Sequence, residues 1–404
     1  MGKLNKGGLV GGFDQLRAPD APTIGEATAG DTQVSVAFTA ASDAGAGTVS
    51  SFVVTGLASG ATTGVSGTSS PIVATSLTND TEVTFSVIAI SEFGSSPSSG
   101  TVAATPSAPS WSGQRGLFSG GKDTNGQMND EIEYITITTT GNSQDFGDLS
   151  QTARLATACS NGTRGVITSL YGGLSPGPVN VIDFVIIAST GDSTDFGNLA
   201  VAAHSLNAVS NGIRGVIAGG GQPVSGNSAN IEFIIIASSG NGADFGDLTN
   251  TRLGSTVQCA ESNNSVRGVF QGGSSSNVID FVNIASSGNA SDFGDLTVAR
   301  HNAAGFGSAT RSIAAGGASI TNVIDFMNTA STGNSSDFGD LLAAVFLVHG
   351  TSNLTRGVIG GGSTAANEST FQNVMQYITI ANTGNSVDFG DLTSSKAEVT
   401  ATSG

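Results

Sequence analysis

Apolar residues along this chain come in short alternating runs, set between clusters of Gly, Ser, Thr and Asn. In residues 18–108 the runs are Val34-Ser35-Val36-Ala37-Phe38, Phe52-Val53-Val54-Thr55 and Val83-Thr84-Phe85-Ser86-Val87-Ile88-Ala89-Ile90. Runs of period two with turn clusters between them predict an antiparallel sandwich. Beyond residue 110 a second pattern takes over. Strings such as Asn180-Val181-Ile182-Asp183-Phe184-Val185 alternate Val, Ile and Phe, and each leads through a T-G-N-like turn into D-F-G-D-L or D-F-G-N-L.

That second pattern repeats six times. The D-F-G motifs start at Asp145, Asp195, Asp244, Asp292, Asp337 and Asp388, at intervals of 50, 49, 48, 45 and 51 residues. Arg115, Arg164, Arg214, Arg267, Arg311 and Arg356 keep the same beat. A period near 50 predicts a repeat architecture of the β-propeller type. Each repeat reads as four strands: a small-residue run, R-G-V-I, the N-V-I-D-F stretch, and a last strand following D-F-G-D-L. Small residues suit strands that converge on a crowded axis. The segment Lys396–Gly404 aligns with Ala153–Asn161, so the sequence ends where the first repeat lacks its small-residue strand. This predicts an all-β chain with six blades, closed by the C-terminal strand, a device that removes free edges. The expected organisation is an arm at 1–17, a sandwich at 18–105, a Pro-stiffened linker at 106–110 and the propeller at 111–404.

Composition sharpens the picture. Gly is abundant (58 of 404 residues) and Pro scarce (9), so the Gly is turn chemistry and not a collagen pattern. Only 11% of residues are charged, and the net charge of −17 argues against a nucleic-acid partner. No apolar run reaches the ~18 residues of a membrane span, and Met1–Arg17 lacks the apolar core of a secretory signal. Cys159 and Cys259 read as buried thiols rather than as a disulfide framework. Five Gly in the first 17 residues would leave that arm floppy alone. We expect it to thread into a neighbouring subunit.

Candidate chemistry is sparse. A D-F-G triplet present six times, with no Gly-rich phosphate loop before it, is architectural rather than kinase-like. Phe146, Phe196, Phe245, Phe293, Phe338 and Phe389 are expected to plug the spaces between blades, the Gly after each to make a turn, and the first Asp to bond amides of the T-G-N turn. The six Arg are expected to form a ring of Arg–Asp contacts, with an anion-binding ring as the alternative. Pairs such as Asp145 and Asp148 offer too few oxygens for Ca²⁺ unless loops complete the shell. His204, His301 and His349 form no metal-binding pattern, and Tyr134, Tyr171 and Tyr377 match no copper-radical site. No cofactor and no catalytic constellation is expected. Function should then sit in the variable loops between the second and third strands of each repeat. The candidate binding-face residues are Lys122, Asp123, Asn125, Gln127, Gln222, Asn227, Ser363, Glu368 and Phe371. The long loops of blades one and six should lie together.

Three resemblances rest on these residues. The A-P-x-A-P start, L-T-N-D-T-E-V-T-F-S-V-I-A-I at 77–90 and the S-E-F-G-S-S-P-S-S ending at 99 resemble a fibronectin type III domain. Phe38 and Val83 depart from that family's usual Trp and corner Tyr. The Gly pair, the strand aromatic and the Arg resemble kelch propellers over about 290 residues, with Phe in place of Trp. The string I-D-F-x-x-I-A-S-T-G-N-x-x-D-F-G-D-L resembles repeats in structural proteins of tailed phages, notably of marine cyanobacteria. These resemblances imply a non-enzymatic virion protein on a tail, neck or capsid. It would be oligomeric in the particle, held to other virion proteins through residues 1–17 and turned toward a host glycan or receptor. A bacterial surface adhesin or glycan-binding module is the alternative.

Overall fold

A computed structural model of the chain describes residues 17–30, 33–58, 61–78, 81–106, 114–168, 170, 179–222, 226–252, 266–274, 276–318, 320–366 and 368–404. The arm up to residue 16, most of the linker, Tyr171 and Cys259 lie outside the described residues. Among the described residues there is no helix, and the chain is all-β. It divides into two units, Met1–Pro109 and Ser110–Gly404.

Among its described residues the first unit has eight strands: β1 (Thr23–Gly30), β2 (Gln33–Thr39), β3 (Val49–Ala58), β4 (Ala61–Gly67), β5 (Ile72–Ala74), β6 (Val83–Ser91), β7 (Gly94–Ser95) and β8 (Val102–Ala104). One sheet runs β1-β2-β5. The other runs β4-β3-β6-β7, with β8 also on β6. Strict alternation puts every second residue of β2 and β6 inside. Val34, Val36 and Phe38 thus share one core with Phe52, Val54, Phe85 and Val87. Phe38 meets Phe52 at 4.7 Å between ring centroids, and Val83 is buried where a larger corner residue was the family expectation.

Among the described residues the second unit is a succession of six antiparallel sheets, with a further two-stranded pairing of Lys122–Asp123 on Lys396–Ala397. From inner to outer strand, the first sheet is Thr400–Ser403, Arg115–Ser119, Asn129–Thr136 and Gln144–Ala153. Its inner strand comes from the far end of the chain, with Thr402 opposite Leu117 and Thr400 opposite Ser119. The second sheet is Thr157–Ser160, Arg164–Thr168, Val181–Ile186 and Thr194–Asn198. The third is Asn207–Ser210, Arg214–Ala218, Gly226–Ile235 and Ala243–Arg252. In the fourth, the described strands are Arg267–Gln271, Val278–Asn283 and Ser291–Asp295. The fifth is Ala304–Gly307, Arg311–Ala315, Thr321–Asn328 and Ser336–Val345; the sixth is His349–Ser352, Arg356–Gly360, Val374–Thr379 and Val387–Asp391.

Each sheet packs both faces against its neighbours. The apolar clusters are shared by sheets one and two around Phe146, two and three around Phe196, three and four around Phe245, four and five around Phe293, and five and six around Phe338. The sixth cluster joins Phe389 of the last sheet to Phe118, Ile135 and Ala401 of the first. All six Phe side chains are buried, each contributing about 1.5–3 kcal/mol.

Three expectations about the motif need correction. The D-F-G triplet lies within the outer strand and not before it, and its Gly makes a bulge rather than a turn. Gly147, Gly197, Gly246, Gly294, Gly339 and Gly390 have φ of 144–148°, and the pairing register slips opposite each. A Cβ on any of them would overlap the backbone of the next sheet's turn: Gly191, Gly240, Gly288, Gly333 and Gly384, and for Gly390 the turn at Gly141 in the first sheet. Close backbone approach, as much as φ, is what demands Gly here. The Asx bond also runs the other way. Asp192, Asn241, Asn289, Asn334, Asn385 and Asn142 of the turns accept from the backbone amides of Asp148, Asn198, Asp247, Asp295, Asp340 and Asp391 of the preceding sheets, at 3.0–3.1 Å.

The inner strands are tied by serine. Ser210 Oγ donates to Ser160 O (2.8 Å), Ser160 Oγ to Ser403 O, Ser403 Oγ to Ser352 O (2.7 Å) and Ser352 Oγ to Gly307 O (2.8 Å). Small side chains let these strands approach closely enough for one hydroxyl to span each gap.

Candidate functional site

The six repeated Arg do not form the expected ring with Asp. Among the described residues, none of them ion-pairs with a D-F-G carboxylate. Each guanidinium lies instead over the aromatic of the third strand in its own sheet. The partners are Tyr134, Phe184, Phe233, Phe281, Phe326 and Tyr377, at 4.2–4.8 Å from the ring centroid. That aromatic meets the D-F-G Phe edge-on at 5.8–6.3 Å. The Arg tip then donates to a carbonyl of the following sheet: Arg115 to Ile187 (2.9 Å), Arg164 to Ile236 (3.5 Å), Arg267 to Ala330 (3.0 Å), Arg311 to Ile380 (2.9 Å) and Arg356 to Ile137 (3.1 Å). Arg214 stacks in the same way, and its buried Nη1 makes no hydrogen bond. A planar cation that stacks with its face and donates with its edge suits this place, where Lys would not.

A second repeated element escaped the sequence reading. The third strand carries an acid just before its aromatic: Glu133, Asp183, Glu232, Asp280 and Asp325, with Gln376 in the sixth sheet. All six are buried. Each accepts from the backbone of the preceding sheet, at Thr393, Ser150, Ala200, Thr249, Thr297 and Leu342 respectively. In three interfaces a buried cation completes the contact: Arg252 on Asp280 (2.7 Å), Arg300 on Asp325, and Lys396 on Glu133. Burial alone would raise the Glu133 carboxyl, but the Lys396 ammonium and the bonds from Ser143 and Thr393 hold it below its ordinary value. Burial raises Glu232.

The loop residues divide into two groups. Asp123 accepts from the amides of Gln127 (2.8 Å) and Asn125 (2.9 Å), which lower its carboxyl and shape the turn. Asn125, Gln127 and Asn227 are exposed, while Lys122, Asp123, Gln222 and Glu368 are half-buried. Lys122 Nζ donates to Glu368 (2.8 Å) and sits 5.8 Å from the Phe371 ring centroid, so the loops of the first and sixth sheets lie together. Ser363 and Phe371 are not available to a ligand. Ser363 is buried and its hydroxyl donates to Ala365 O (3.0 Å). Phe371 packs with Phe346, Leu347 and Ala397. Reading Phe371 as a loop tip overlooked the pairing of its strand segment with Ser363. A separate cleft of about 270 Å³ lies along Tyr134, Ile135, Thr136, Thr139, Asn142 and Gln144. Among the described residues, no three His, Cys, Asp or Glu gather as metal ligands.

His349 opens the inner strand of the sixth sheet, where other sheets have Thr157, Asn207, Ala304 and Thr400. Burial pushes its imidazole down to about 3. Between about pH 6.5 and 3 the unfolded chain therefore binds a proton that the folded chain refuses, and stability falls as pH falls, by at most about 1.4 kcal/mol per unit. Burial lowers His204 and His301 too, which adds to the slope, as does loss of the Glu133 carboxylate at lower pH. The raised Glu232 and Glu398 oppose it, since the folded chain takes up their protons first. Melting midpoints measured from pH 7 to 4 are expected to drop steadily, and His349→Thr to flatten most of the drop. An unchanged slope in that variant would assign the acid sensitivity elsewhere.

No protein-family model matches the chain, and no curated protein matches it.

Proposed function

We propose that this chain is a non-enzymatic structural protein of a tailed-phage particle. In this reading a fibronectin type III-like sandwich is followed by a six-bladed kelch-like β-propeller closed by the C-terminal strand. The arm at 1–17 anchors it to other virion proteins, and the loops between second and third strands face a protein partner or a host glycan. One observation carries the reading: the residues repeated from sheet to sheet serve contacts between neighbouring sheets. Phe, bulge Gly, the turn Asn or Asp, the buried acid or Gln, and Arg in five of its six copies are engaged in this way, and the sixth sheet makes the same contacts to the first. Among the residues that differ from repeat to repeat, exposed Asn125, Gln127 and Asn227 offer amides to a partner. The fibronectin-like part is supported by its three-stranded and five-stranded sheets closing over one core.

Immunogold labelling of purified particles tests the assignment. Gold on the tail, neck or capsid is the expected result. Label on the bacterial surface and none on particles would replace it with the adhesin reading. A glycan array probed with the native chain and with an Asn125→Ala/Gln127→Ala/Asn227→Ala variant tests the loop face. Binding should be lost in the variant with no change in melting midpoint.

A further inference from the structure

We propose that the cleft at the end of the third strand of the first sheet binds a neutral sugar ring. The six hairpins that join third and fourth strands share one length but not one pair of residues at the mouth. There Phe184 faces Thr194, Phe233 faces Ala243, Phe281 faces Ser291, Phe326 faces Ser336 and Tyr377 faces Val387. In the first sheet a phenol faces an amide, Tyr134 opposite Gln144. The repeated contacts account for the Tyr134 ring, which Arg115 covers and Phe146 meets edge-on. They do not account for its hydroxyl or for the amide beside it.

The hydrogen-bonding groups of the cleft are set in place by the fold. Tyr134 Oη donates to Gln144 Oε1 (2.6 Å), so Gln144 keeps Nε2 to donate and Tyr134 keeps a lone pair to accept. Asn142 is held in the same way. Its Oδ1 accepts from Asp391 N (3.1 Å), and Nδ2 remains. Among the described residues, neither amide nitrogen donates to another group of the chain. Exposed Thr136 and Thr139 add hydroxyls that both donate and accept. Ile135 packs its side chain in the core with Phe389. Every side chain lining the cleft is uncharged, which disfavours a phosphate or a carboxylate, as well as a metal ion. Amide donors beside two-way hydroxyls match the neighbouring hydroxyls of a sugar. Amides already held by internal bonds lose little freedom on binding. The volume of about 270 Å³ lies just under the roughly 300 Å³ at which small-molecule sites begin, which suits one ring and not an extended chain.

The third strand, Asn129–Thr136, follows the loop face at its start and reaches this cleft at its end, so the two sites can be tested apart. Saturation-transfer NMR on the full chain, with free glucose, galactose, mannose and N-acetylglucosamine as probes, gives the test. Transfer to at least one of these sugars is expected, and none to glucose 6-phosphate. Gln144→Val and Tyr134→Phe should each weaken the binding by about tenfold. Both should leave the melting midpoint unchanged, because the chain already uses Val387 and four Phe at these positions. The Asn125→Ala/Gln127→Ala/Asn227→Ala variant should keep the transfer. No transfer from the native chain to any of the four sugars would overturn the proposal, as would equal transfer in the two cleft variants. Loss in the loop variant alone would also overturn it, while leaving the loop face of the proposed function intact.

Discussion

Deleting Lys396–Gly404 is expected to abolish cooperative unfolding of the second unit. The segment is short, but four kinds of contact end in it. Thr400–Ser403 is the inner strand of the first sheet, paired along Arg115–Ser119. Val399 and Ala401 fill the cluster between the last and first sheets. Ser403 carries two of the serine bonds between inner strands. Lys396 neutralises Glu133, which is wholly buried and would be left as an uncompensated charge. Removing one member of such a pair alone costs about 3–5 kcal/mol, and losing Val399 adds about 1.5–3 kcal/mol. The sum is comparable to the entire stability of an ordinary domain. Calorimetry of the truncated chain should retain a transition for the first unit, whose core is self-contained, and show none for the second. A second-unit transition at the native midpoint would mean that the inner strand is dispensable.

Arg300→Val should cost about 4 kcal/mol, the second largest effect of those expected here. Arg300 and Asp325 are both fully buried, and the guanidinium also satisfies the Gly316 and Val323 carbonyls. Without it, Asp325 retains only its bonds from Thr297. The double variant Arg300→Val/Asp325→Gln should recover most of the loss, because the chain already uses Val345 and Gln376 at the same place between the fifth and sixth sheets. A double-mutant cycle by denaturant unfolding gives the coupling directly. If the double variant is no more stable than Arg300→Val, the charge pair is not what holds this interface.

The sequence revealed some of these contacts and concealed others for physical reasons. The D-F-G Phe could be read because a large apolar residue at a fixed place in every repeat has few other uses. The C-terminal strand could be read because Lys396–Gly404 aligns with a segment that the first repeat lacks. The Arg were misassigned because Asp is so common around D-F-G. The true partner is an aromatic in the third strand, and register across a sheet is not visible in a linear pattern. The buried acids were missed for a different reason. Alternation in an antiparallel strand suggests one solvated face, so Asp183 beside Ile182 reads as outward. Here both faces of each sheet meet another sheet, and Ile182 and Asp183 are both buried. An acid recurring in five repeats, with Gln in the sixth, was the available signal. Phe371 shows the converse error, since a loop aromatic is not a surface aromatic when its segment pairs back onto Ser363.

The pairing of the two ends of the second unit has a mechanical side. Arg115 N donates to Gly404 O (3.2 Å) and Gly404 N to Arg115 O (3.1 Å), so the incoming strand and the final one meet at the same edge, running in opposite directions. A tensile load applied between these two points would peel the strands apart bond by bond, the weakest geometry for a sheet, instead of shearing all the bonds at once. Under load the hydroxyl link from Ser403 to Ser352 and the ammonium of Lys396 act as the stops behind that seam.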